Sequence, residues 1–557
     1  MKKLLVVLLV IIMVLPTISV SAKENAVLPV FDVSFNGQIV ESDYRQFPLI
    51  VYKDITYVPM TYFDCRYLGL TTNWDNDTRT LSIEKSDITC AYRDYKWDWE
   101  NGKSNEASVC DFNIIVNGKE VDNSKEEYPL LTFRDVTYFP LTWRFAVDEF
   151  GWEYSFDSEN GLAITSDNPH VETINLPKCE GSIATDGEYY YYNGNDGDSY
   201  YEGKYYGDKY VIYRTPLDDL SKAEIIYEMP VTGRRAEFSE ADGNVYFKYF
   251  AGGSAVTGSM SFCKIEKNGS VTEDYRGSVI EAYPPYHYYG KHGHNQLQAK
   301  ENGISVIGIE AHIQSATEFT YTIDGVETKA EPFAEGLTMG QRRNGIKPNY
   351  VTEDCIKIFG DKIYYTAYSQ LNRENSSLYV IDTKTAATTK LIDGVCGFHV
   401  YNGWVDELKC DSTMIIYDNN GILMRYTEIN GDVRKIEDNG EEGMLLCGAV
   451  GSQTVYTVQK DLYGKKTIVK AFDCYADGTG SRKGTVFETT TGTFYNKFTD
   501  KLCVYTNGES ANDEVRLFVA DEGNHYRFSD SVGSVFVYDD ILLYKYDNGL
   551  VARVDLK

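Results

Sequence analysis

The sequence predicts a mainly β chain: two small α+β modules of hairpin-helix-hairpin form, followed by a seven- or eight-bladed β-propeller. Three observations predict it. Near the N-terminus one pattern occurs twice at an offset of 81 residues. From His170 onward a polar turn followed by an alternating aromatic strand recurs every 40 to 60 residues. That second part has almost no amphipathic helix pattern, as expected of all-β structure.

The first element is a targeting segment. Lys2-Lys3 precede the apolar run Leu4 to Leu15, then Pro16, then Val20-Ser21-Ala22. A basic region, an apolar core and small residues at a cleavage site describe a secretory signal peptide, residues 1–22, cut after Ala22. As an anchor it is short, and no basic stop-transfer flank follows. No later segment is apolar enough to span a bilayer, so the expected location is secreted or extracellular, with cell-wall association as one form of it.

Export governs the reading of charge and thiols. The formal charge of −29 falls to −31 once Lys2 and Lys3 are removed. Such a surface repels phosphate backbones and anionic lipid, which excludes nucleic acid as a partner. Eleven cysteines, scattered from Cys65 to Cys503 with no CxxC pair, exclude a small-domain disulfide framework. Cys90 and Cys110 bracket an insert and form a candidate bridge.

The repeat is legible residue by residue. Asn36-Gly37 returns as Asn117-Gly118, Phe47-Pro48-Leu49 as Tyr128-Pro129-Leu130, and Tyr57-Val58-Pro59 as Tyr138-Phe139-Pro140. Leu49–Tyr52 and Ile55–Val58 read as a hairpin about Lys53-Asp54, with Arg134-Asp135 in the same role in the second copy. A short helix over Thr61–Leu68 ends at Gly69. A second hairpin follows, Leu70–Trp74 and Leu81–Ile83, matched by Phe156-Asp157 and Leu162–Ile164 after one inserted and one deleted residue. The copies occupy residues 31–84 and 112–167, with an insert at 85–111. At about fifty residues, each would be helped to fold by packing against its twin.

The Asn-Gly turn, the Pro-Leu strand entry, the Tyr-x-Pro strand end, the helix closing on Gly and the aromatic-Asp turn resemble the N-terminal stalk domain of copper amine oxidases, a module also found in secreted proteins of Gram-positive bacteria. The stalk is not catalytic in that family, so the resemblance implies no oxidase activity. His292-Gly293-His294 and Asn349-Tyr350 look like fragments of the oxidase site, but Val351 stands where that motif has an acid, and the order of the fragments is reversed.

In residues 170–557 the turn-strand unit begins at Asp186-Gly187, Asp242-Gly243, Asn302-Gly303, Asp361-Lys362, Ser412-Thr413, Ser452-Gln453, Asp500-Lys501 and Asp539-Asp540. The last unit has too little chain for four strands. Val171–Leu176 could supply the missing one and close the ring. The Asp-Gly-x-x-Tyr-Tyr strand resembles a domain of unknown function, common in exported Gram-positive proteins, that is similar to TolB-type propellers. Two consecutive β-sandwiches are the rival architecture.

The sequence has no GxSxG elbow, P-loop, HExxH or Rossmann glycine pattern. No cofactor is expected, and two stretches are candidates for a metal. His287, His292 and His294 could converge on a transition metal among neighbouring tyrosines. Asn193–Asp198, NGNDGD, is rich in hard oxygen ligands for Ca²⁺ but lacks a closing Glu. The Gly-rich stretch Gly194–Gly207 carries Tyr200, Tyr201, Tyr205 and Tyr206, rings suited to stacking on sugar or gripping peptide.

The leading expectation is a non-enzymatic binding or scaffolding protein, its stalk-like modules presenting a propeller to an extracellular ligand such as cell-wall glycan or protein. The alternative is an extracellular propeller hydrolase or lyase acting on polysaccharide or peptide.

Overall fold

The computed structural model describes residues 23–556 except 234, 242, 254–257, 279–295, 302–303, 311–315, 324–325, 330–336, 340–355, 370–375, 396, 406, 420–421, 439–444, 449–453, 461–465, 474–481, 490–492, 498–500, 507–513, 522–523 and 547–548. The signal-peptide reading therefore lies outside the described residues. The chain divides into two compact units, one ending at Val171 and the other beginning at Glu172.

In the first unit the strands are β1 (Lys23–Val27), β2 (Val33–Phe35), β3 (Gln38–Ile39), β4 (Ile50–Tyr52), β5 (Ile55–Pro59), β6 (Leu70–Asp75), β7 (Thr80–Lys85), β8 (Ile88–Thr89), β9 (Ser104–Val109), β10 (Asn113–Val116), β11 (Lys119–Val121), β12 (Leu131–Phe133), β13 (Val136–Pro140), β14 (Glu153–Asp157) and β15 (Gly161–Thr165). The Asn-Gly turns have positive φ at both residues, 49° and 82° in the first copy and 47° and 75° in the second. That is the type I′ geometry matching strand twist, which Asn and Gly tolerate. Lys53-Asp54 and Arg134-Asp135 adopt it too.

Strand pairing crosses between the copies. β7 of the first copy runs parallel to β10 of the second, Leu81 opposite Ile114 and Ile83 opposite Val116. β15 of the second runs parallel to β2 of the first, Leu162 opposite Val33 and Ile164 opposite Phe35. Each of these four-stranded sheets therefore takes one hairpin from each copy, β11-β10-β7-β6 and β14-β15-β2-β3. One core results, in which Phe35, Leu70 and Ile83 are buried with Ile114, Phe139, Trp152 and Ile164.

The remaining hairpins close a barrel in the order β1-β4-β5-β13-β12-β9. Ala26, Tyr57, Ala107 and Tyr138 are buried in its interior. β9 lies inside residues 85–111, so what reads in sequence as an insert between modules supplies a barrel strand.

That segment also covers Arg45. The guanidinium, 1% exposed, pairs with Asp64, donates through Nε to Asp94 O at 3.1 Å and faces the rings of Tyr92 and Tyr95. Burial pushes the Asp64 carboxyl above its ordinary range, opposed by Arg45 and by the Thr61 hydroxyl. The expected Cys90–Cys110 bridge is not formed: both are thiols, Cys90 donating to Phe63 O and Cys110 contacting the Thr132 hydroxyl at 3.2 Å.

Helix α1 (Tyr62–Tyr67) is capped by the Thr61 hydroxyl, which accepts from Asp64 N at 3.1 Å, and ends at Gly69, φ +70°. Its counterpart Arg144–Glu149 is a π-helix, with Phe150 N donating to Phe145 O at 3.0 Å. A π turn absorbs one extra residue, which accounts for the insertion shifting Gly151 by 82 rather than 81 positions.

The second unit is a succession of antiparallel sheets. β16 (Glu172–Ile174) pairs with Val551–Asp555, so the first and last strands of the unit meet in one four-stranded sheet with Ile541–Lys545 and Ser534–Tyr538. β17 (Cys179–Thr185), β18 (Tyr189–Tyr201), β19 (Lys204–Pro216) and β20 (Glu224–Glu228) form the next. Sheets led by Glu237–Ala241, Gly397–Val405 and Leu445–Gly448 repeat the four-strand order, the strands Phe494–Lys497, Lys501–Tyr505, Leu517–Asp521 and Asn524–Phe528 pair in the same succession within a five-stranded sheet, and a nine-stranded sheet lies among them. Leading strands of successive sheets touch: β17 contacts Ser534–Tyr538 on one side and Glu237–Ala241 on the other. Sheets in series, closed by pairing the first strand with the last, make a β-propeller.

Candidate functional site

The Tyr-rich stretch proves to be a strand hairpin, where its glycines suggest a loop. β18 and β19 are 13 residues each, against 7 in β17 and 5 in β20. β17 pairs with β18 only as far as Gly194, and β20 meets β19 only as far as Val211. Residues 195–210 thus continue as a two-stranded ribbon, turning through Glu202 and Gly203, both at positive φ. At about 3.3 Å per residue it projects roughly 20 Å beyond its blade.

The ribbon's root is tightly held. Asn193 is fully buried, donates to Val211 O at 3.2 Å and accepts from Ala236 N at 3.2 Å. Tyr192 stacks on Tyr213 at 5.3 Å, and burial raises the Tyr192 hydroxyl well above its ordinary pKa. Asp196 accepts from Lys178 at 2.9 Å and from the Tyr213 hydroxyl at 3.3 Å, and the Lys178 bond holds its carboxyl below the usual range. The stretch Asn193–Asp198 is strand rather than a ligand loop, and the oxygens of Asn193 and Asp196 already have protein partners.

Toward the tip the tyrosines open to solvent. Tyr200, Tyr201, Tyr205 and Tyr206 are 59%, 55%, 56% and 43% exposed. Tyr200 lies opposite Tyr205, their ring centroids 5.8 Å apart at 61°. Tyr201 and Tyr206 form a second edge-to-face pair at 6.2 Å and 82°. Side chains alternate between faces along a strand, so the two pairs occupy opposite faces. Among the described residues no further strand pairs with the ribbon at either tyrosine pair. The structure therefore brings together all four tyrosines singled out from sequence.

It also adds groups that the sequence reading passed over. Asp198 and Asp208 stand directly opposite each other, each two residues before a tyrosine whose hydroxyl donates to it at 3.4 Å, Tyr200 and Tyr210. The twice-written Asp-x-Tyr is the signal that could have found them. His287, His292 and His294 lie outside the described residues. Among the described residues no group of three His, Cys, Asp or Glu side chains could hold a metal, and no helix is long and apolar enough to cross a membrane.

No protein-family model matches the chain, and no curated protein matches it. Among solved structures it is similar to BamB from Moraxella catarrhalis, 8% identical over 69% of this chain and 100% of that one, with a TM-score of 0.31. It is likewise similar to TolB from Acinetobacter baumannii, 10% identical over 72% and 91%, with a TM-score of 0.27. A third likeness is to the Dos1 propeller, 10% identical over 69% and 94%, TM-score 0.29. Strand order and ring closure are what make the second unit a propeller.

Proposed function

We propose that the protein is a secreted binding or scaffolding protein whose propeller meets an extracellular ligand, cell-wall glycan or protein, through the β18–β19 ribbon. In this reading residues 1–22 are removed on export and the first unit is a pair of stalk-like modules. On the same reading the nine-stranded sheet counts as two blades joined through Leu337–Met339, for eight in all, an arrangement its strand order supports.

One observation carries the proposal: four half-exposed tyrosines on a ribbon that leaves its blade, with a root anchored by buried Asn193. Exposed aromatic rings cost apolar surface in water, and aromatic side chains are enriched where partners bind. Paired strands present them with less conformational entropy to lose on binding than a loop would.

The test is cosedimentation with cell-wall sacculi carrying their attached proteins, comparing the native chain with the Y200S/Y201S/Y205S/Y206S variant. Loss of central aromatic contacts costs about 2 kcal/mol or more, so the variant's apparent affinity should fall at least about thirtyfold. Equal sedimentation of both proteins would overturn the proposal.

A further inference from the structure

The two faces of the ribbon are chemically unequal. On one face Tyr201 and Tyr206 have a cation of their own, the Lys204 ammonium 5.6 Å from the Tyr206 ring centroid. On the other, Tyr200 and Tyr205 adjoin the opposed carboxylates Asp198 and Asp208. Both aspartates are exposed, and among the described residues neither forms an ion pair. The nearby lysines are committed elsewhere: Lys178 to Asp196 at 2.9 Å, and Lys209 to Glu228 at 2.9 Å.

Like charges directly opposite in an antiparallel pair destabilise it. Here the repulsion stands on a ribbon that has no core to offset it. Two carboxylates beside two aromatic rings form a face that attracts an ammonium or guanidinium group by charge and by cation–π contact together. The ribbon's outer edges, beyond the reach of β17 and β20, also leave strand N–H and C=O groups without a neighbouring strand of the blade. Such an edge suits an extended backbone, which a free cation or a saccharide lacks.

We propose that the Asp198/Asp208/Tyr200/Tyr205 face docks an extended, Lys- or Arg-bearing segment of another protein. This rests on the reading of the ribbon as the contact surface and names the chemical class of its ligand.

The probe is a fluorescein-labelled oligolysine peptide, followed by anisotropy with the purified chain at an ionic strength near 150 mM, where long-range charge effects are screened within about 8 Å. D198N/D208N and Y200S/Y205S should each weaken binding about tenfold, the order expected for losing a charge-assisted and cation–π contact. D98N/E100Q removes two exposed charges in the first unit and should leave binding unchanged. Circular dichroism of each variant confirms that it is folded.

The inference is overturned if D198N/D208N binds oligolysine no more weakly than D98N/E100Q, because bulk charge then explains binding. If the four-tyrosine variant loses sedimentation on sacculi while D198N/D208N keeps both activities, the cationic ligand is wrong and the contact surface stands. If no variant alters either measurement, both proposals fall.

Discussion

At the scale of single residues, Asn36 and Asn117 show most clearly what a repeated letter can mean. Each occupies the first position of a type I′ turn, which the Asn-Gly pair announces. Each also uses its side chain in the same unannounced way. Asn36 donates to Tyr67 O at 2.9 Å, at the end of α1, and accepts from Ser166 N of the second copy at 2.8 Å. Asn117 donates to Glu149 O at 2.8 Å and accepts at 2.9 Å from Lys85 N, at the end of β7. One amide thus caps a helix in its own copy and joins a strand of the other. Asn36→Ala removes these bonds and leaves at φ 49° an alanine, which tolerates the left-handed region less well than asparagine. The expected loss is about 1–3 kcal/mol in urea unfolding, with Asn117→Ala similar and Asn36→Gly recovering only the turn's share. An Asn36→Ala midpoint equal to the native one would show that the clasp carries no stability.

At the scale of elements, hairpins, helix and turns of the first unit were legible, because each has a local cause in alternation, capping or turn chemistry. The exchange of hairpins between copies was not. Val33–Phe35 and Ile114–Val116 offer the same alternating apolar edge, so β7 and β15 find equivalent partners in either copy, and no local pattern distinguishes them. The role of residues 85–111 was hidden for a related reason: β9, SNEASV, has few β-branched or aromatic residues and takes its place from the barrel around it. Gly161 marks where the exchange is tightest. Its φ is +77°, and a β-carbon there would lie 2.0 Å from Asp32 O of the other copy, beside the Leu162 N to Asp32 O bond. Gly161→Ala should therefore cost about 2 kcal/mol or more and lower the melting temperature by several degrees, without altering the ribbon. A melting temperature unchanged from native would mean that the β15–β2 junction is looser than drawn.

At the scale of the whole molecule, the recurring turn-strand unit gave the propeller, since a period of several strands has few other solutions. It also pointed to Val171–Leu176 as the source of a closing strand, which β16 supplies by pairing with the last strand. The candidate site was half legible. Tyrosine spacing marked the stretch, while Gly194, Gly197, Gly203 and Gly207 suggested a loop. Those glycines instead accommodate bulges, the ribbon's turn and the close approach of Tyr213 to Gly194. Whether residues are loop or projecting strand depends on pairing across the blade, which alternation in a single strand does not reveal. In the proposed function, this ribbon is where the propeller meets its ligand. Amide hydrogen exchange of the purified chain, with and without oligolysine or soluble cell-wall glycan fragments, tests it most directly. Slowed exchange concentrated in residues 195–210 is expected with the ligand that binds. Protection elsewhere in the chain, with 195–210 exchanging as before, would contradict it.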